Sequence, residues 1–201
     1  MTLSLNYERD LLFIDTEATG LVTDHHVVCQ WGSVLFDKKT LEIKSEFKTE
    51  LSLSLDDVFY ADKQAREIHG INLEALIDRP DLPNISMLRH MIEKHHGDAS
   101  NYHVYGVHVN HDIAMLDHMA LAQDTAKLFP GDAPYKCRVY SVEALWNTVG
   151  AMLSLGWGNC ALRQMCKYFQ IPMSDNHDAL EDARSTGLVH KEVVKMIRPG
   201  S

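Results

Sequence analysis

The sequence predicts an α/β layered fold. Two observations carry that prediction. Three β-patterned segments stand close together near the N-terminus, and two more follow with helical patterns before, between and after them. A third observation bounds the architecture: no internal repeat, low-complexity tract or linker divides the chain. Residues 1–201 are therefore read as a single domain, and 45% hydrophobic residues suffice for a sizeable core.

The elements follow in order. "LLFI" (11–14) reads as a buried strand. "HHVVCQWGSVLFD" (25–37) is rich in β-branched and aromatic residues, and "LEIKSEFKTEL" (41–51) alternates apolar and polar with period two. The polar link "DKKT" between them suits a hairpin turn, so these three segments predict an antiparallel meander. Residues 60–78 are patterned as helix with a break at Gly70, and Asn84 is placed to cap a helix running to His96. "YHVYGV" (102–107) is a fourth strand, 112–129 an apolar-periodic helix, and "KCRVYS" (136–141) a short fifth strand. Further helices are expected at 142–153, 160–170 and 178–197.

Composition excludes several classes. No apolar run approaches the roughly 20 residues that span a bilayer, so no membrane association is expected. The N-terminal "MTLSLNYERD" has neither a basic n-region nor a long apolar stretch, and Cys29, Cys137, Cys160 and Cys166 form no C-x-x-C pair. The expected compartment is the cytoplasm, with the thiols reduced in the core. The formal net charge of −9 argues against a non-specific polyanion binder. The sign is uneven: residues 1–135 carry 11 Lys+Arg against 22 Asp+Glu, and residues 136–201 carry 8 against 6. The last third can offer a phosphate-contacting surface, with Lys136, Arg138, Arg163 and Lys167 as candidates, or the asymmetry is a chance feature of the surface. The 12 histidines show no four-ligand zinc spacing. "GWGNCA" (156–161) lacks the context of a dinucleotide fingerprint, and no G-x-S-x-G occurs. Trp146 and Trp157 are read as packing residues before base-stacking ones.

The chemistry lies in "LLFIDTEATG" (11–20). Side chains two apart on a strand share a face, so Asp15 and Glu17 point the same way. Two bare carboxylates so placed repel, and burying them costs several kcal/mol unless compensated. A divalent cation compensates them, and oxygen ligands favour Mg²⁺ or Mn²⁺ over zinc. The alternative is that the strand stops at Asp15 and both acids are solvated loop residues. A second constellation, "NHDALEDARSTGLVH" (176–190), holds Asp182 in a helical pattern with Ala179, Ala183 and Thr186 three or four residues away. Small residues thus surround one acid on an inward face. His177 lies at or just before the helix start, where an imidazole beside a phosphate can act as general base without being a metal ligand.

Taken together, "DTEATG" (15–20) and "HDALEDA" (177–183) resemble the first and third motifs of the DEDDh family of 3′→5′ exonucleases, which includes polymerase proofreading subunits and RNase T. "REIHGI" (66–71) is similar to the segment those enzymes carry before their second motif, and the likeness spans about residues 10–195. The resemblance implies an RNase H-like fold, a mixed five-stranded sheet with helices on both faces. It also implies four acids holding two divalent cations, Mg²⁺ or Mn²⁺, with Asp15, Glu17 and Asp182 as ligands and His177 as general base.

The second motif departs from the family. Its stretch is "YGVHVNHDIAML" (105–116), with His108 and Asn110 shifted and His111 in place of an aromatic. Asp112, at the expected helix start, is the better fourth acid; Asp117 is the other candidate. A pair of cations can clamp the attacking and leaving oxygens of a displacement at phosphorus. Asp15 would bridge them, with Glu17 and Asp182 on one and Asp112 on the other. Two such ions would bring the formal charge from −9 to −5. By the same resemblance Thr19, Gly20 and Leu21 meet the terminal nucleotide, with Leu21 as a base wedge, and His69 lines that pocket.

The function expected is a stand-alone 3′→5′ exonuclease acting on nucleic acid 3′ ends and releasing nucleoside 5′-monophosphates. A proofreading or repair subunit working with a polymerase partner is the second reading, and a non-catalytic nucleic-acid-binding protein the third. The sequence leaves DNA and RNA both open, because that choice depends on room for a 2′-OH.

Overall fold

A computed structural model describes residues 7–129, 137–156 and 160–197. Five strands form one sheet in the order β3-β2-β1-β4-β5. They are β1 (Asp10–Ala18), β2 (Val28–Phe36), β3 (Ile43–Glu50), β4 (Tyr102–Gly106) and β5 (Val139–Ser141). The first three are antiparallel neighbours, whereas β4 pairs parallel with β1 and β5 parallel with β4, so the sheet is mixed. The β2–β3 turn is closed by Asp37, whose carboxylate accepts the Lys39 and Thr40 amides, the Asx geometry that lets Asp start a tight turn.

Strand parity sorts the core. Leu12 and Ile14 enter a cluster with Trp31, Leu35 and Phe47, covered by α3 (Ile85–His96) and α4 (Val109–Ala122). Leu11 and Phe13 enter the opposite cluster with Val34 and Phe36, covered by α5 (Glu143–Met152), α6 (Leu162–Phe169) and α7 (Ala179–Ile197). Burial on both faces is why 11–14 is an unbroken apolar run rather than an alternating one. Trp146 is fully buried in the second cluster, which fits a packing role; Trp157 lies outside the described residues. All four cysteines are buried and free.

β1 runs through Ala18, paired with β2 to the end, so Asp15 and Glu17 lie on the strand as their spacing predicts and not in a solvated loop. Other expected boundaries are corrected. The helix expected at 112–129 starts three residues earlier, at Val109, and ends at Ala122. Its N-cap residue His108 takes φ 50°, the left-handed region in which His, Asn and Asp are enriched. The 60–78 pattern yields α2 (Lys63–His69), ended by left-handed Gly70, and then only a 3-10 turn. A short helix α1 (Leu55–Phe59) was not anticipated, although Ser54 and Asp57 form a capping box at its start.

Candidate active site

Because β1 continues past Asp15, parity holds through Glu17 and puts both acids on the face covered by α7. Directly opposite residues of an antiparallel pair share that face. Asp15 lies opposite Gly32 and Glu17 opposite Gln30 on β2, and Gly32 in turn faces Lys48 on β3. A Cβ at Gly32 would fall 2.1–2.3 Å from backbone atoms of Ala179 and Leu180, so only glycine admits the start of α7 at this depth. The Gln30 side-chain oxygen accepts the Ala179 amide at 3.0 Å. Asp178 accepts the Leu180 and Glu181 amides at 3.1 and 3.2 Å and pairs with Lys48. One turn into α7, Asp182 is buried with Ala179, Ala183 and Thr186 around it.

Thr16 has the opposite parity and points toward α4, where its hydroxyl donates to Asp112 Oδ1. Asp112, in the first turn of α4, is thereby brought to the same cleft. Asp117 is ion-paired with Lys127 and does not line the cleft. The cleft encloses about 850 Å³ and is lined by Asp15, Glu17, Asp112, Asp182 and His177, with Arg163 on its wall.

His177 Nδ1 lies 3.1 Å from Asp182 Oδ2, while the buried Asp182 Oδ1 has no hydrogen-bond partner among the described residues. Among the described residues, Glu17, His177 and Asp182 place ligand atoms within 4.8 Å of one another, close enough to hold one metal ion.

The electrostatics match the geometry. Burial, then the carboxylates of Asp112, Asp182, Glu17 and Asp178, push Asp15 well above its ordinary value. Burial and the neighbouring acids raise Glu17 to about 8, against a small opposing pull from Lys48. Asp112 and Asp182 rise to about 6, chiefly by burial, with Thr16 and His177 respectively working the other way. For Asp178, burial is outweighed by Lys48 and the helix amides, and its carboxyl stays below the usual range. Mutually repelling, largely buried acids, one of them with a buried oxygen lacking a partner among the described residues, are the donor set a divalent cation satisfies.

A family model for exonucleases, RNase_T, matches residues 12–189, which include all of these groups. The chain belongs to this exonuclease family. No curated protein matches the sequence. Solved structures with the same RNase H-like fold include E. coli exonuclease I in complex with a dT13 oligonucleotide, with TM-score 0.74 and 14% identity over 95% of this chain and 42% of that one. A zinc-bound form of the E. coli exonuclease I–ssDNA complex gives 0.77 and 16% over 96% and 42%. A moderately thermophilic exonuclease I from Methylocaldum szegediense gives 0.76 and 17% over 95% and 41%. The chain thus spans less than half the length of these proteins, and at such identities the likeness shows the fold.

The exonuclease domain places the remaining candidates unevenly. A second cavity of about 170 Å³ adjoins the cleft and is lined by Gly20, Leu21 and His69, together with Gln64 and Asp62. Thr19 lines neither space; its hydroxyl accepts the Val27 amide at 3.0 Å and holds the loop together. Gly20 is required by its own neighbours, since a Cβ there would meet the His26 ring at 2.5 Å. Arg138 and Lys167 are exposed and away from both cavities, and Lys136 lies outside the described residues. Sequence reasoning did not single out Gln30, Lys48 or Asp178. Of these only Asp178, an Asp just before a helical pattern, carried a local signal. As a group, no helix among the described residues is long and apolar enough to cross a membrane.

Proposed function

We propose that the chain is a divalent-metal-dependent 3′→5′ exonuclease that hydrolyses single-stranded nucleic acid to nucleoside 5′-monophosphates. The observation that carries this reading is the convergence of Asp15, Glu17, Asp112 and Asp182, from β1, α4 and α7, on one cleft with His177 beside Asp182. The four acids fit as ligands of two cations, Mg²⁺ or Mn²⁺, and the unpartnered Oδ1 of Asp182 is the oxygen left for one of them. Such cations supply positive charge to the phosphate oxygens and make a bound water easier to deprotonate.

The protein's own groups do the rest. Asp182 Oδ2 accepts from His177 Nδ1 and so orients the ring, leaving Nε2 to take the proton of the attacking water. The water oxygen bonds to phosphorus as the bond to the 3′-oxygen of the penultimate nucleotide breaks, and that oxygen takes a proton from solvent to become the 3′-hydroxyl of the shortened strand. A nucleoside 5′-monophosphate leaves, and the strand is one residue shorter. The cleft and its adjoining cavity are of a size for a terminal nucleotide and the strand that follows.

A 5′-labelled single-stranded oligonucleotide with Mg²⁺ or Mn²⁺ tests the reading. A ladder descending from the 3′ end and abolished by EDTA supports it; a ladder that survives EDTA, or shortening from the 5′ end, overturns it. Matched DNA and RNA in the same assay assign the sugar.

A further inference from the structure

Leu21 is 80% exposed, yet its backbone is tightly held. At the base of its loop, Thr19 and Val27 exchange hydrogen bonds, the Thr19 carbonyl accepts the Asp62 amide at 2.7 Å, and the Val22 carbonyl accepts the His26 amide at 2.8 Å. The Val22 amide in turn donates to His26 Nδ1 at 3.0 Å. At the tip, His111 Nε2 of α4 donates to the Leu21 carbonyl at 2.9 Å. That bond crosses between the two walls of the site. Leu21 and His111 are among five residues, with Thr16, Glu17 and Asp112, that line both the main cleft and the smaller cavity.

The geometry points to His111 as a positioning residue: it latches the Leu21 loop to α4, making Leu21 a rigid apolar step between the two cavities against which the terminal base of a strand stacks. The inference rests on the proposed nuclease reading and adds a residue and a role to it. The physical reason is preorganisation. A solvent-exposed leucine on a free loop must be ordered when a base stacks on it, and that ordering subtracts from affinity. Here the loop is ordered beforehand. His111 must carry its proton on Nε2 to donate, so a side chain with a donor at the same reach keeps the latch and one without it loses the latch.

The experiment compares His111→Ala and His111→Gln with the wild type. It measures KM and kcat on a single-stranded oligonucleotide, and amide hydrogen exchange of residues 21–26 without substrate. The expected result for His111→Ala is a KM raised about tenfold, the equivalent of losing one modest hydrogen bond, with a smaller fall in kcat and faster exchange in the loop. His111→Gln restores both. An unchanged KM or unchanged exchange in His111→Ala, or a Gln variant as impaired as the Ala one, overturns the inference. If the wild type cleaves no oligonucleotide, the activity reading fails, and the loop exchange of the two variants alone decides the latch.

Discussion

Gln30 and Ala179, 149 residues apart in sequence, are joined by a buried hydrogen bond from the Ala179 amide to the Gln30 side-chain oxygen. Gln30 is also the cross-strand partner of Glu17. One side chain therefore ties the first turn of α7, which carries Asp182, to the strand position that faces a second acid. Replacing it with leucine keeps the size and leaves the amide unpartnered, which costs about 1–3 kcal/mol. Gln30→Leu is expected to lower stability by that amount in urea and also to weaken divalent-cation binding by calorimetric titration. Unaltered cation binding would reduce Gln30 to a structural role.

The acid cluster sets a pH dependence on the metal-free protein. Glu17 releases its proton near 4.5 when unfolded and at about 8 when folded. Asp112 and Asp182 shift from 3.8 to about 6. Between those limits the folded state binds more protons than the unfolded one, so stability falls as pH rises. In EDTA, Tm should decline from about pH 5 to pH 8, and Mg²⁺ or Mn²⁺ should recover it most at the alkaline end. A Tm that rises across this window would contradict the assigned burial of these acids.

Asp15→Asn removes the carboxylate with the most acidic neighbours. Activity should be lost, while Tm in EDTA at pH 8 should rise above wild type because one repelling charge is gone. Wild-type activity in this variant would move the cation site away from Asp15.

Asp112→Ala should be nearly as damaging to turnover as Asp15→Asn. Asp117→Ala should leave turnover close to wild type and cost at most about 1 kcal/mol, the worth of a surface ion pair with Lys127. Side-by-side kinetics decide the matter, and the reverse ranking would transfer the fourth ligand to Asp117.

His177→Ala should lower kcat by about 10²–10⁴-fold, the range for a lost general base, with cation affinity largely kept. Loss of cation affinity instead would make His177 a ligand, an arrangement its closeness to Glu17 and Asp182 permits, and the base would then be another group.

The legible parts of this molecule are those written in short periods. The apolar run at 11–14 announces a strand buried on both faces, and a spacing of two puts Asp15 and Glu17 on one of them. Ala179, Ala183 and Thr186 announce an acid facing inward. The start of α4 differs from the expected one because Asn110 and Asp112, both favoured N-cap types, stand inside the helix, while a left-handed His108 takes the cap position without a side-chain hydrogen bond. The capping box at Ser54 was there to be read, but five residues of helix make too weak a pattern to stand out.

By itself, the sequence determined the strand and helix faces and the candidate acids, because alternation and helical periodicity are local properties of a chain. Only the tertiary structure decided which residues hold those acids together. The seat of α7 on Gly32, the Gln30–Ala179 bond, the Lys48–Asp178 pair and the reach of His111 to the Leu21 carbonyl all join segments distant in sequence. Such contacts leave no period behind. They follow from how close two backbones can approach, and that depends on the packing of both faces of the sheet at once.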